Sequence, residues 1–130
     1  MKKYLPTVSF VLVIILILVG IVWMSSPKAV YNTFAQCIKD SGAEFYGAFW
    51  CPHCREQKQL FGASASLLPY VECSTGDASG QLQVCKDKNV EQYPTWFFAS
   101  STGTTTRISE VVSLEQIAKL TQCPLVKDSN

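Results

Sequence analysis

Two cysteines, Cys51 and Cys54, are separated by Pro52 and His53 and directly follow a short aromatic run at 45–50. The length of that run favours a buried strand over a helix. Pro52 suits the first turn of a helix, and the polar residues that come after it are good helix formers. The cysteine pair is therefore predicted at a strand-to-helix junction, which restricts the chain to folds that contain such a turn.

The rest of the chain after residue 27 alternates between helical and strand patterns. Ser113 and Gln116 form a capping box before an apolar helical stripe, and Gly42 can end an earlier helix in the left-handed conformation. The order of elements excludes all-α and all-β folds and predicts a small mixed sheet flanked by helices. The predicted elements are a helix over 28–41, a strand over 45–50, a helix over 52–62, a strand over 70–73, a helix over 81–88, a hairpin over 96–108 and a last helix after Ser113.

The Cys51–Cys54 pair carries the predicted chemistry. The first turn of a helix points unpaired N–H groups and the positive end of the helix dipole at Cys51, which favours its thiolate. A protonated His53 adds positive charge nearby. We predict that Cys51, at the exposed end, forms a mixed disulfide with a substrate and that Cys54 resolves it. This two-electron exchange needs no soluble cofactor, since the Cys51–Cys54 disulfide is the redox group.

Two other roles of the pair remain open. A C-x-x-C pair supplies half of a tetrahedral zinc site, but the sequence has no second such pair and only one histidine, so we expect no metal. A purely structural disulfide is the other alternative. Glu56 is a candidate proton-transfer group, although a solvated carboxylate is the simpler interpretation, and Arg55 and Lys58 are expected on a solvated helix face.

Residues 8–24 are uncharged and long enough, with the residues before them, to cross a bilayer as one helix. Lys2 and Lys3 favour a cytoplasmic N-terminus, with Trp23 at the outer interface. A cleaved signal peptide is the alternative, but the apolar run is long for one and the sequence at 25–27, Ser-Ser-Pro, is a poor cleavage site. We therefore predict four parts: a transmembrane signal anchor at 1–24, a juxtamembrane linker with an extra helix at 25–42, one domain at 43–126, and a tail at 127–130.

Charge and cysteine content limit where the chain works and what it binds. The six cysteines suit a compartment outside the cytoplasm, such as a periplasm or lumen, where disulfides persist. The formal net charge is only +1, which gives no support to nucleic-acid binding.

Three stretches between Phe45 and Phe98 carry a resemblance: FYGAFWCPHCREQKQLFG, LPYVEC and VCKDKNVEQYPTWFF. They resemble the thioredoxin-like domain that occurs fused to, or beside, bacterial homologues of vitamin K epoxide reductase. The resemblance implies a thioredoxin fold, a four-stranded mixed sheet flanked by helices, that exchanges electrons with exported protein thiols and a quinone-linked membrane reductase. The Pro-His dipeptide is similar to that of strong periplasmic oxidants of the DsbA type, which points to oxidation. Reducing thioredoxins carry a buried acid at the position of Phe45, which this chain lacks.

The resemblance also implies roles for residues outside the motif. Pro94 matches the family's cis-proline that faces the active cysteines, whereas X-Pro statistics alone favour trans. The backbone at Tyr93, Pro94 and Thr95 is then a peptide-docking edge, and Trp50 is expected to be partly exposed beside Cys51. The other aromatic residues near the motif are expected mostly in the core: Tyr46, Phe49, Tyr93, Trp96, Phe97 and Phe98.

The remaining four cysteines are expected to form two disulfides. The resembling domains carry a pair at the positions of Cys73 and Cys85, which would brace the 74–80 loop or act as a second redox pair. Cys37 and Cys123 are left over and could staple the first helix to the end of the domain, although sequence alone does not decide connectivity.

The combined prediction is a membrane-anchored, extracytoplasmic thiol–disulfide oxidoreductase that oxidises exported thiols and is reoxidised by a vitamin K epoxide reductase-type membrane protein. The alternatives are a reductase or isomerase of the same fold, including one that serves cytochrome maturation, and a tethered binding module with an inert C-x-x-C.

Overall fold

The computed structural model describes residues 5–24, 29–100 and 102–129, and the side chains from Val8 to Ile21 in the first helix. Helix α1 spans Leu5–Met24, and those side chains are exposed. Within this described part of the chain, no helix is long and apolar enough to cross a membrane. Lys2, Lys3, the side chain of Trp23 and the predicted linker at 25–27 lie outside the described residues.

A mixed sheet of four strands, in the order β2-β1-β3-β4, forms the centre of the domain. Strand β1 pairs in parallel with β2 and antiparallel with β3, and β3 pairs antiparallel with β4. The predicted mixed sheet is therefore confirmed. The strands are β1 Glu44–Gly47, β2 Tyr70–Glu72, β3 Thr95–Ala99 and β4 Thr105–Ile108.

The helices follow in the predicted order, with one addition. A short 3₁₀ helix, Gly62–Leu67, joins the helix after the cysteine motif to β2 and was not predicted from the sequence. The helix predicted over 81–88 is shorter than expected. The remaining helices are α2 Asn32–Asp40, α3 Pro52–Gln59, α4 Gln83–Asp87 and α5 Leu114–Thr121.

Helix α2 begins at Asn32, so its predicted start near residue 28 is wrong. The backbone before it is held in other contacts: Tyr31 N donates to Ser64 Oγ at 2.9 Å, and Val30 O accepts from Asp128 N at 2.9 Å. The Asp128 carboxylate in turn accepts from Asn32 N at 2.6 Å, which caps the helix. The predicted C-terminal tail is thus bound to the start of α2. At the other end, Gly42 has φ +78°, in agreement with the prediction.

The main core lies between the sheet and helices α2 and α5. Phe45 of β1 and Trp96 of β3 stack with their centroids 4.5 Å apart, and Phe34 of α2 stacks on Phe61 at 5.7 Å. Ile117 of α5 belongs to the same cluster. The predicted extra helix is therefore part of the domain's own core.

Candidate active site

The cysteine motif lies at the carboxyl end of β1, where the chain turns into α3. Cys51 is the N-cap residue of α3, with φ −74° and ψ 121°, and Pro52 occupies the first helical position. The Cys51 sulfur accepts from Cys54 N at 3.4 Å, so one of the helix's unpaired N–H groups points at it. The predicted strand-to-helix junction is confirmed, although the strand ends at Gly47.

Because β1 ends early, the last aromatic residues of the predicted strand lie in the turn. Phe49 is 52% exposed, so its expected place in the core is wrong. Trp50 is 49% exposed, as expected for a residue beside Cys51. Its indole N–H donates to Ser74 Oγ at 2.8 Å, and its ring meets that of Tyr93 edge-on at 6.0 Å.

Both motif cysteines are free thiols and both are buried, Cys51 at 4% and Cys54 at 1% exposure. The expectation that Cys51 lies at the exposed end of the motif is therefore wrong, because Cys51 is only slightly more exposed than Cys54. Ala48 is buried in the same cluster and Tyr93 packs against it, which leaves little of either sulfur open to solvent.

The loop before β3 brings a proline to the thiols. The Tyr93–Pro94 peptide bond is cis and Pro94 is buried, which confirms the expectation from the resemblance. Cys51 Sγ donates to Tyr93 O at 3.6 Å, so this backbone directly contacts the reactive sulfur. Thr95 differs from Tyr93: its buried hydroxyl donates to Gln92 O at 2.8 Å and bonds Ser109 Oγ at 2.9 Å, which directs its side chain into the protein.

A groove of about 400 Å³ runs past the motif on the Tyr93 side. Its volume lies within the range of about 300–1,000 Å³ that is usual for ligand-binding clefts. His53 and Glu56 form one wall, and their side chains approach to 3.3 Å while both remain exposed. The other residues that line it are Tyr93, Pro94, Ser109, Glu110 and Val111.

Cys54 lies on the inner side of the motif. Burial and its hydrogen bond with Cys51 raise the pKa of Cys54 to about 12, so its thiol holds its proton at neutral pH. A Cβ added at Gly47 would lie 2.8 Å from Cys54 Sγ, so the strand approaches the sulfur without a side chain between them. This arrangement fits a buried resolving thiol beneath an attacking one.

The thioredoxin family profile matches residues 27–122, which is most of the chain. The chain belongs to the thioredoxin family. A relative from Arabidopsis thaliana, the thiol-disulfide oxidoreductase LTO1, is 39% identical over 101 residues. The match covers 75% of this chain and 25% of that protein, so the chain spans about a quarter of the relative's length. Both comparisons support the predicted class of thiol–disulfide oxidoreductase.

The structure places near the cysteine motif two residues that the sequence analysis did not select. Tyr70 and Glu72 of β2 face the same side of the sheet as Phe45 and Gly47, their partners in β1. Lys58 of α3 lies over the Tyr70 ring, with Nζ 3.3 Å from the centroid, so the expectation that it is simply solvated is wrong. The signal available in the sequence was Gly47, because a lone glycine in a strand marks a close approach of another group.

The four other cysteines are paired, Cys73 with Cys85 and Cys37 with Cys123, as the sequence analysis expected. The Cys73–Cys85 disulfide packs with Tyr46 and Val90, whereas the motif cysteines cluster with Ala48. Cys73 directly follows Glu72, and successive residues of a strand face opposite sides of the sheet. Cys73 therefore lies on one side of the sheet, and Glu72 and the cysteine motif lie on the other. This placement favours bracing over direct exchange with Cys51.

Among residues 5–24, 29–100 and 102–129, no group of three or more His, Cys, Asp or Glu side chains is arranged to hold a metal ion.

Proposed function

We propose that this thioredoxin-family chain is a membrane-anchored, extracytoplasmic oxidoreductase that oxidises exported protein thiols and is reoxidised by a vitamin K epoxide reductase-type membrane protein. The observation that carries the redox assignment is the position of Cys51. Its sulfur caps a helix N-terminus by accepting from Cys54 N at 3.4 Å, and it contacts the backbone before a cis-proline.

The proposed cycle uses two thiol–disulfide exchanges. A substrate thiolate attacks Cys51 of the oxidised pair, so a substrate–Cys51 bond forms and the Cys51–Cys54 bond breaks, with Cys54 leaving as thiolate and taking up a proton. A second substrate thiolate attacks its own mixed-disulfide sulfur and expels Cys51. The substrate has lost two electrons and two protons, and the chain holds both as a dithiol until the membrane partner oxidises it.

Different observations support the membrane anchor, the extracytoplasmic compartment and the membrane partner. The uncharged residues 8–24 follow two lysines, and the two disulfides outside the motif suit an oxidising compartment. The membrane partner rests on the resemblance to domains that accompany vitamin K epoxide reductase homologues. The Pro-His dipeptide favours the oxidising direction.

Substrate trapping tests the redox assignment. A Cys54→Ala variant of the full chain keeps Cys51 as a free thiol, which can attack an oxidised substrate in the reverse of the last step, and lacks the Cys54 thiol that would release the adduct. We therefore expect mixed disulfides with exported proteins that migrate as reducible adducts on gels. The matched Cys51→Ala variant should form none. Equal adduct patterns for the two variants, or none with either, would contradict the proposal and favour a tethered binding module.

A fractionation experiment tests the anchor. The full chain should remain with membranes after carbonate washing, whereas a chain that begins at residue 25 should be released. Release of the full chain would contradict the anchor while leaving the redox assignment intact.

A further inference from the structure

Three polar side chains near Cys54, those of Lys58, Tyr70 and Glu72, have no part in the proposed cycle. A Cβ added at Gly47 would lie 2.8 Å from Cys54 Sγ and 2.9 Å from the Tyr70 ring. Sulfur and ring are therefore neighbours beside the glycine.

Glu72 holds Tyr70 and the turn before Cys51 in place. The Tyr70 hydroxyl donates to Glu72 Oε2 at 2.9 Å. The other carboxylate oxygen accepts from Phe49 N at 3.2 Å and from Ser74 N at 2.9 Å. One carboxylate thus joins β2 to the turn that carries the cysteine motif.

Lys58 completes the group from α3, one helical turn beyond Cys54. Its ammonium lies on the face of the Tyr70 ring at 3.3 Å, a cation–π contact that fixes the position of the charge. The side chain is half-buried, and burial lowers the pKa of Lys58. Burial is also the main cause that raises the pKa of Cys54, and Lys58 is a cation that opposes this rise.

We propose that Lys58, held in place by Tyr70 and Glu72, stabilises the Cys54 thiolate each time the Cys51–Cys54 disulfide opens or closes. The inference rests on the proposed function and adds to it the group that offsets the charge on the inner sulfur. Phe45 stands where reducing thioredoxins carry a buried acid, and the polar groups here come instead from α3 and β2.

The charge appears on Cys54 in both directions of exchange. In opening, the incoming thiolate bonds to Cys51 and the electron pair of the broken S–S bond stays on Cys54. In closing, Cys54 loses its proton to water, attacks Cys51 and expels the bound thiol as thiolate. The Cys54 thiolate occurs in both steps, and Lys58 favours it because a nearby positive charge stabilises a thiolate.

The charged and titratable groups around Cys54 come from each element packed there. Helix α3 supplies Lys58, and its N-cap residue is Cys51. Strand β2 supplies Tyr70 and Glu72, and the loop before β3 supplies Tyr93. Among these, Lys58 is the cation, so its removal isolates the proposed effect.

The test follows closure of the mixed disulfide in the full chain. Reduced protein is mixed with glutathione disulfide, and the glutathione adduct on Cys51 is followed by rapid acid quench and mass spectrometry between pH 5 and 9. Lys58→Met keeps the length of the side chain and removes the charge. We expect closure about three- to fourfold slower at each pH. A rise of about one unit in the pKa of Cys54, the low end of the effect of a nearby charge, leaves about tenfold less thiolate, and the more basic thiolate attacks about threefold faster.

Two further variants separate charge from packing. Lys58→Arg keeps the charge and should close within about twofold of the wild type, and Lys119→Met on α5 should not differ from it. The inference is overturned if Lys58→Met closes at the wild-type rate, or if Lys58→Arg is as slow as Lys58→Met. Failure of the wild type to form or resolve the adduct would instead overturn the proposed function.

Discussion

At the scale of single residues, the redox role of the cysteine pair could be predicted from the sequence, whereas the burial and the contacts of individual side chains could not. The spacing of Cys51 and Cys54 and the proline after Cys51 identified the motif, because these features act through local geometry. Pro94 required the resemblance, since a cis bond depends on tertiary context. No local pattern predicts the burial of Cys51 or the contact of Lys58 with Tyr70, because both depend on residues that are not neighbours in the sequence.

Gly47 is the residue on which the inner half of the site depends most. We expect Gly47→Ala to displace Cys54 or Tyr70, because the new Cβ would lie less than 3 Å from both. Such overpacking costs about 1–3 kcal/mol and should slow closure of the Cys51–Cys54 disulfide. Urea unfolding and the glutathione assay measure the two effects.

Gly76→Ala is the matched control, since a Cβ there meets nothing within 4 Å. Equal stability and closure rates for the two alanine variants would contradict the close approach at Gly47.

At the scale of elements, the order of helices and strands followed from the sequence, but their ends did not. The aromatic run predicted a strand to residue 50, whereas the turn into α3 ends it at Gly47. The 3₁₀ helix Gly62–Leu67 was missed because its six residues are too few to show a helical period and its glycine and serine residues also suit a turn. Its conformation is tied to tertiary contacts, among them the bond from Tyr31 N to Ser64 Oγ.

Helix α3 is fixed to the segment before α5 by a buried amide. Gln57 is 0% exposed; its Oε1 accepts from Val112 N at 2.7 Å and from Trp96 Nε1 at 3.3 Å, and its Nε2 donates to Val112 O at 3.0 Å. Gln57→Leu would leave these groups buried without partners. We expect a loss of about 3 kcal/mol in the free energy of unfolding by urea denaturation.

The exposed Gln59 on the same helix provides the control, and Gln59→Leu should change stability by less than about 0.5 kcal/mol. A Gln57→Leu variant as stable as this control would show that the amide bridge contributes little.

At the scale of the whole molecule, two disulfides link the elements of the domain to one another. Cys37–Cys123 spans 86 residues and links α2 to the end of the domain, whereas Cys73–Cys85 spans 12 residues on the face of the sheet away from the motif. The Cys73–Cys85 pairing came from the resemblance and the other by elimination. The sequence alone could not decide which cysteines pair, because six cysteines allow 15 pairings.

We expect the disulfide that closes the longer loop to contribute more to the free energy of unfolding. By the loop-entropy relation, Cys37–Cys123 should contribute about 4.5 kcal/mol and Cys73–Cys85 about 3 kcal/mol. Replacing each pair by alanines and measuring urea unfolding tests this order. The Cys73→Ala/Cys85→Ala variant should also keep its exchange activity under conditions where it is folded; loss of exchange in the folded variant would instead assign that pair a redox role.

The measurement that most directly tests the central claim is the reduction potential of the Cys51–Cys54 couple. The full chain, in detergent, is equilibrated in glutathione buffers and its thiols are trapped, with Cys51→Ser as the background for the two other disulfides. An oxidant of exported thiols should give a value near about −120 mV. A value near about −270 mV would contradict the oxidising direction and favour a reductase, and the absence of any couple at Cys51 and Cys54 would contradict the oxidoreductase itself.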